Sequence, residues 1–530
     1  MTAAADSIFT NADVHTLGDS DEVAEAVAVR DGEIVRVDDE YEVEFLEGVE
    51  TEVVDLGGRV LLPGFIDAHT HLQHLGHSLV YADLSAADSP ADCVDLIADT
   101  ADGDTTADSD EWILGFGYDE STWEESRYLT RGDLDAVSEK RPVAAFREDM
   151  HIAAVNSAAL DRYVAEMPDA DVHTEGGAPT GVIVEEAVDV IYEAIEPGVE
   201  ETRELLDAAQ REANRLGVTG VHDMVRDSRA PEVYRRMDLD GDLSLRVRLN
   251  YWSNHLDALV ETGLRTNHGS EFVRTGGIKT YTDGSFGGRT AKLSEPYADA
   301  ESADDSDDGT GQWVVSPAEL RDLVAEADDA GFQMTAHAIG DEAVEEVLSA
   351  YDETDDPDEA RHRVEHAELV SDENVERFAD SGVIASVQPN FLKWAQEDGL
   401  YDARLGTERR KRSNRYADLL EAGTPLAFGS DCMPLSPLFG VHQAVNAPEE
   451  RQRLSVTETL RAYTRGAARA GFDESRLGTL EPGTAADLVA LSASPWDVDD
   501  DAIADVDVAL TVVGGRVVHD ARSVGSDGSR

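Results

Sequence analysis

The stretch P-G-F-I-D-A-H-T-H-L-Q-H-L-G, residues 63–76, runs from a Pro-Gly pair through an apolar segment to two histidines, His69 and His71. In a β-strand, side chains two apart share a face, so both imidazoles can reach one ion from the strand's end. Seven more short apolar stretches follow, at 218–223, 245–252, 277–283, 332–337, 362–367, 383–388 and 425–431, and with 60–67 they make eight. Several are separated by helical patterns such as 201–216 and 318–330, which end near Gly217 and Gly331 as helices do. Eight β units with intervening helices predict an α/β fold, a (β/α)8 TIM barrel whose chemistry sits at the C-terminal ends of its strands.

On either side of this middle the chain alternates with the strand period. Residues 26–37, A-V-A-V-R-D-G-E-I-V-R-V, read as a hairpin turned at Asp31-Gly32, and 486–491 with 510–519 repeat the pattern around a Gly-Gly turn. We therefore expect a small β-sandwich domain built jointly from 1–58 and 480–530, and a barrel over 59–479. Residues 75–200 are too long for one connection after the first barrel strand and are read as an inserted, lid-like subdomain. The acidic run 298–311 is read as a solvated loop.

The formal charge of −69 arises from 112 Asp and Glu against 43 Lys and Arg, spread along the 530 residues rather than gathered in a tail. A phosphate backbone would be repelled, which excludes nucleic acid as a partner. Only five of the basic residues are lysines: Lys140, Lys279, Lys292, Lys393 and Lys411. A surface so stripped of ammonium groups and covered with carboxylates fits a protein kept soluble at high salt, where screening removes its self-repulsion. No apolar run approaches the ~20 residues that cross a bilayer, and the start, M-T-A-A-A-D-S-I-F, lacks the regions of a signal peptide, so the expectation is a cytoplasmic protein without a membrane partner. The two cysteines, Cys93 and Cys432, are read as packing residues.

At the ends of the later strands stand Lys279, His337, His366 and Asp431, nitrogen and oxygen groups of the kinds that zinc and its neighbours accept. His337 and His366 are 29 residues apart, close to one β/α repeat, and so belong on neighbouring strands. With His69 and His71 these residues form a candidate site for one or two divalent metal ions. Asp431, in A-F-G-S-D-C-M-P, can ligate weakly and still accept a proton from water; the alternative is a helix N-cap, disfavoured by Pro434 and Pro437. Lys279 has its own alternative, an ion pair with Asp283 or Glu365. His222 and Asp223, and Gln388 and Asn390, are candidates for oxyanion or substrate contacts, and Arg289 for a substrate carboxylate or an acidic neighbour.

The phrase L-L-P-G-F-I-D-A-H-T-H, with His337, His366, Asp431 and the closing G-T-L-E-P-G-T-A-A-D-L-V, resembles the metal-dependent amidohydrolase superfamily over nearly the whole chain. Within it, I-K-T-Y-T-D-G-S-F-G-G-R-T-A (278–291), N-S-A-A-L (156–160) and G-A-P-T-G-V-I-V-E-E-A (177–187) resemble the branch that includes N-substituted formamide deformylases. The resemblance implies that His69 and His71 ligate the deeper metal, His337 and His366 the other, and that Asp431 ligates the deeper metal and shuttles the proton. It makes Lys279 a carboxylated lysine bridging the two ions, and His151 a histidine near the substrate, although Met150 and the lack of a tryptophan before Asn156 depart from the branch's pattern. The implied reaction is hydrolysis of a small-molecule C–N amide, N-formyl or N-acyl, by a metal-bound hydroxide. A cyclic amidase or ring deaminase with the same metals is one alternative, and a non-catalytic regulatory protein on the same barrel another. A homodimer is compatible with all three.

Overall fold

The computed structural model describes residues 4–20, 23–102, 112–120, 123–147, 152–300 and 309–522. His151 and residues 301–308 of the acidic run lie outside them.

Eight of the described strands are parallel and hydrogen-bond in chain order: Phe65–Thr70, Val218–Val225, Arg246–Trp252, Val273–Tyr281, Met334–Ala338, Arg363–His366, Ile384–Val387 and Leu426–Phe428. This is the barrel that the periodicity predicts, and every residue of Val218–Val225 is buried, as parallel strands covered on both faces require. The seam between the last strand and the first is bridged just beyond the strand ends, where the Asp431 amide donates to the His69 carbonyl at 2.8 Å and the Ser430 amide to Asp67 Oδ1 at 3.0 Å. The helix Pro317–Asp329 shows how local signals place the crossovers. Ser316 and Glu319 form a capping box, Pro317 occupies the first turn, Leu320, Val324 and Ala327 are buried, and Gly331 (φ 78°) supplies the left-handed exit; such a cap stabilises a helix by about 1 kcal/mol.

Both termini enter one sheet. Its continuous path runs through Arg516–Asp520, Val508–Val513, Leu488–Leu491, Glu52–Pro63, Ser7–His15, Ala26–Arg30 and Glu33–Asp38. Glu52–Pro63 pairs parallel with the first strand and antiparallel with Leu488–Leu491, so the two ends of the chain share the core of Phe9, Leu56, Leu61, Leu488 and Leu510. At the hairpin turn Asp31 (φ 52°) and Gly32 (φ 79°) are both left-handed, the geometry that matches strand twist in a two-residue loop.

Residues 60–67, expected as one barrel strand, are divided. Leu61 pairs with Ala490 in the terminal sheet, and the barrel strand begins at Phe65. Gly64 makes the hand-over: a Cβ there would lie 2.2 Å from Thr219 Cγ2, so only glycine allows the first and second barrel strands to approach so closely.

The chain divides into two compact units, one of Met1–His71, Gln210–Asp227 and Tyr234–Arg530, the other of Leu72–Ala209 and Ser228–Val233. The second unit has its own mixed sheet of six described strands. Leu114, Phe116, Ala144 and Phe146 pack on one face, and Ile113, Val143 and Ala145 on the other, as the alternation of side chains along adjacent strands dictates; Tyr118 joins the second face because the strand is irregular at Gly117 (φ 93°). No described helix is long and apolar enough to cross a membrane.

Candidate metal centre

His69 and His71 leave the first barrel strand at its C-terminal end, and the partners of their Nδ1 atoms determine what their other nitrogens can do. His69 Nδ1 lies 2.6 Å from Glu365 Oε2, and His71 Nδ1 lies 3.1 Å from the Met224 carbonyl. Both partners can only accept from them, so each Nδ1 carries the proton, and a neutral ring turns the lone pair of Nε2 outward. Those lone pairs meet Asp431 Oδ1 at 3.6 Å from His69 and 3.3 Å from His71. Burial pushes the His69 imidazole below its ordinary pKa; burial would raise the Asp431 carboxyl, but it is held below its ordinary range because its charged form is favoured whenever a histidine beside it carries a proton toward it. Three electron-rich atoms converging in this way repel one another unless a cation sits among them, and the donor set of two imidazoles and one carboxylate suits zinc.

His337 and His366 come from adjacent strands, their ring centroids 4.5 Å apart and the His366 centroid 4.9 Å from that of His69. His366 Nδ1 lies 2.7 Å from Gln388 Oε1, while His337 Nε2 lies 2.9 Å from the Gly284 carbonyl and leaves the buried Nδ1 without a partner. Burial keeps both rings neutral, with His337 pushed down to about 3. Each of the four histidines thus has one nitrogen held by an acceptor, the arrangement that fixes a metal ligand's tautomer and orientation.

Lys279 stands on the neighbouring strand Val273–Tyr281, fully buried, with no hydrogen-bond partner for Nζ. The nitrogen lies 4.3 Å from the centre of the Tyr281 ring and 5.5 Å from that of Trp252, and burial pushes its pKa down to about 8. It makes neither ion pair considered for it. Asp283 accepts the amides of Lys292, Ile339 and Gly340, and Glu365 is held by Arg363 and His69.

Backbone conformation helps to aim the site. His366 (φ 73°) and Asp431 (φ 54°) are both left-handed, as are Ala367 (φ 41°) and Cys432 (φ 57°) after them, so the sixth and eighth strands end in sharp turns at a candidate ligand. Asp431 is not an N-cap: the next helix, Pro437–Val445, is capped by Ser436.

The other candidates are placed differently. Arg289 is occupied by Asp299, at 3.1 and 2.8 Å. His222 is buried two residues before Met224, with Nδ1 accepting from Arg363 at 2.8 Å, and it does not join the histidine cluster. Asp223 accepts from Tyr234, Asn390 donates to the Pro434 carbonyl, and Gln388 stands beside His366 with its amide nitrogen unpartnered. Three groups at the site escaped the sequence reading: Glu365 as the partner of His69, the Met224 carbonyl, and Arg363. The last is fully buried and grips Glu365 through Nε and Nη2 at 2.8 and 3.1 Å. The stretch H-R-V-E-H (362–366) held the signal, two buried charges beside a candidate ligand histidine on one short strand.

Residues 52–519 match the family described as the amidohydrolase family. The putative amidohydrolase YtcJ of Bacillus subtilis (strain 168) is 32% identical over 96% of this chain and 98% of its own length. The N-substituted formamide deformylase of Arthrobacter pascens is 26% identical over 97% and 98%. Among solved structures, an uncharacterized metal-dependent hydrolase from Pyrococcus furiosus superposes with a TM-score of 0.78 at 29% identity, covering 92% of this chain and 99% of that one.

Proposed function

Because this chain belongs to the amidohydrolase family, a family of hydrolases, we propose that it cleaves the C–N bond of a small-molecule amide, N-formyl or N-acyl, with divalent zinc as its cofactor. The observation that carries this reading is the convergence of His69, His71 and Asp431 on one point, beside His337, His366 and an unpartnered Lys279.

His69, His71 and Asp431 would hold one ion, and His337 and His366 a second. Lys279 would bridge them as a carbamate, formed when its free amine adds to carbon dioxide and releases one proton; the resulting anion offers two oxygens where an ammonium offers none. Bound divalent ions supply a Lewis acid for the substrate carbonyl and lower the pKa of water. Asp431, ionised and beside both rings of the first pair, takes the proton of the attacking water and returns it to the departing amine nitrogen. Glu365 and Gln388 keep His69 and His366 in the tautomers that present a lone pair.

The test is a metal count on the purified protein, followed by hydrolysis of a panel of N-formyl, N-acyl and cyclic amides. Stoichiometric zinc and turnover of an open-chain amide support the reading. Tight zinc binding with turnover of cyclic amides alone, or of none, refutes it.

A further inference from the structure

At the N-terminal end of the barrel, we propose, one monovalent halide ion, chloride in the cell, is bound between His222 and Arg248. This site shares no residue with the metal centre.

An arginine can only donate, so His222 Nδ1, which faces Arg363 Nη1 at 2.8 Å, is the acceptor nitrogen. Nε2 therefore carries the proton and has no acceptor among the described residues. Arg248 is 3% exposed, and its Nε–H is likewise buried without a partner. The two donors are neighbours: a Cβ built on Gly471 would stand 2.8 Å from His222 Nε2 and 2.9 Å from Arg248 Nε, so the two nitrogens are close enough for one small ion in the pocket that both residues line to contact both. A buried donor without an acceptor is costly, and a single anion satisfies Arg248 Nε together with the His222 Nε2–H beside it.

Size and charge select the ion. His222 and Arg248 line a half-open pocket with about 20 Å³ of room, enough for one water or one small ion. Arg246, Arg274 and Arg476 complete its cationic wall. Of the carboxylates that line it, Asp473 already accepts from Arg248, Arg274 and Arg476, and Glu271 from Arg246. Four guanidinium groups against three carboxylates, Asp473, Glu271 and the Asp487 that pairs with Arg246, leave one positive charge in excess around the cavity, in a chain whose net charge is −69. An ion here would also steady the imidazole against which Arg363 packs.

The probe is bromide, titrated at millimolar concentration into the intact protein held at constant ionic strength in molar potassium glutamate. General salt effects rank bromide as less stabilising than glutamate, so an increase can only come from binding. We expect a saturable rise in Tm of about 2 °C, and one anomalous peak in contact with both donors in crystals soaked in bromide. Arg248→Gln should abolish the rise. Since that variant also breaks a contact to Asp473 and can fail to fold, Gly471→Ala is the second arm: its backbone (φ −98°, ψ 9°) accepts alanine, and the methyl stands against both donors. No rise in the wild type, a water alone at the site, or an undiminished rise in Gly471→Ala would each overturn the proposal.

Discussion

The proposed reaction gives Asp431 two roles, lying against both first-strand histidines and moving a proton. Asp431→Asn keeps size and a carbonyl oxygen but gives up the charge and the basicity. We expect the rate to fall about 10²–10⁴-fold, the usual loss for a general base, with circular dichroism unchanged. A rate within threefold of wild type would remove Asp431 from the proton path. Lys279 is a sharper case, because its amine is buried with no hydrogen-bond partner, and burial outweighs the pull of Glu365 and Asp431 on its charge. Lys279→Ala should bind less zinc and be nearly inactive, and a short carboxylic acid added with zinc should restore part of the rate by filling the vacated space. Lys279→Arg keeps the charge but cannot become a carbamate, so full metal content and rate in that variant would make the lysine a structural cation. The candidate ligands were legible in the sequence because they stand at or near the ends of apolar stretches. Their supports were not, because the contact that orients His69 comes from Glu365, 296 residues away. Removing that contact by Glu365→Gln should weaken zinc binding about 10–100-fold, the ordinary cost of losing a ligand's hydrogen-bond partner, as read by competition with a chelating dye.

Among elements, the barrel strands were readable from the eight apolar stretches, and the terminal hairpins from Asp31-Gly32 and Gly514-Gly515. What periodicity could not show is where one strand ends and the next begins inside an unbroken apolar run. Val60 to Pro63 and Phe65 to Asp67 look alike in hydropathy, and only the approach of Thr219 to Gly64 separates them. A second glycine, after the eighth strand, bears directly on the metal centre. A Cβ on Gly429 would stand 2.4 Å from the His69 amide nitrogen and 2.8 Å from His69 Cβ, a collision with backbone that a rotamer change cannot relieve. Gly429→Ala should therefore push the end of the first strand away from the eighth, costing about 1–3 kcal/mol as overpacked sites do and displacing His69 from Asp431. A variant with a lowered Tm and reduced zinc content is the expected outcome; wild-type zinc affinity would show that the strand end yields without moving its ligand.

For the molecule as a whole, the arithmetic of charge decides the conditions under which it is stable. With 112 carboxylates and 43 cationic side chains, most acids have no cation of their own. The structure answers in part by making one arginine serve two acids. Arg377 holds Glu345 and Asp352, Arg415 holds Asp372 and Asp418, and Arg410 holds Asp402 and Glu449. A planar guanidinium can do this with parallel donors on separate edges, which a single ammonium does less well, and the scarcity of lysine follows from the same geometry. The carboxylates left over repel one another across the surface, over about 30 Å in 0.01 M salt but only about 3 Å in 1 M. Folding brings them together and unfolding lets them part, so the repulsion weighs against the native state and fades as salt is added. Tm should rise steeply from dilute buffer to molar potassium chloride and level off once the screening length falls below the spacing of neighbouring carboxylates. The greater part of that rise should be reproduced by potassium glutamate at equal ionic strength, since screening does not depend on which anion is present. A Tm indifferent to salt would mean that the acidic surface is already balanced within the fold.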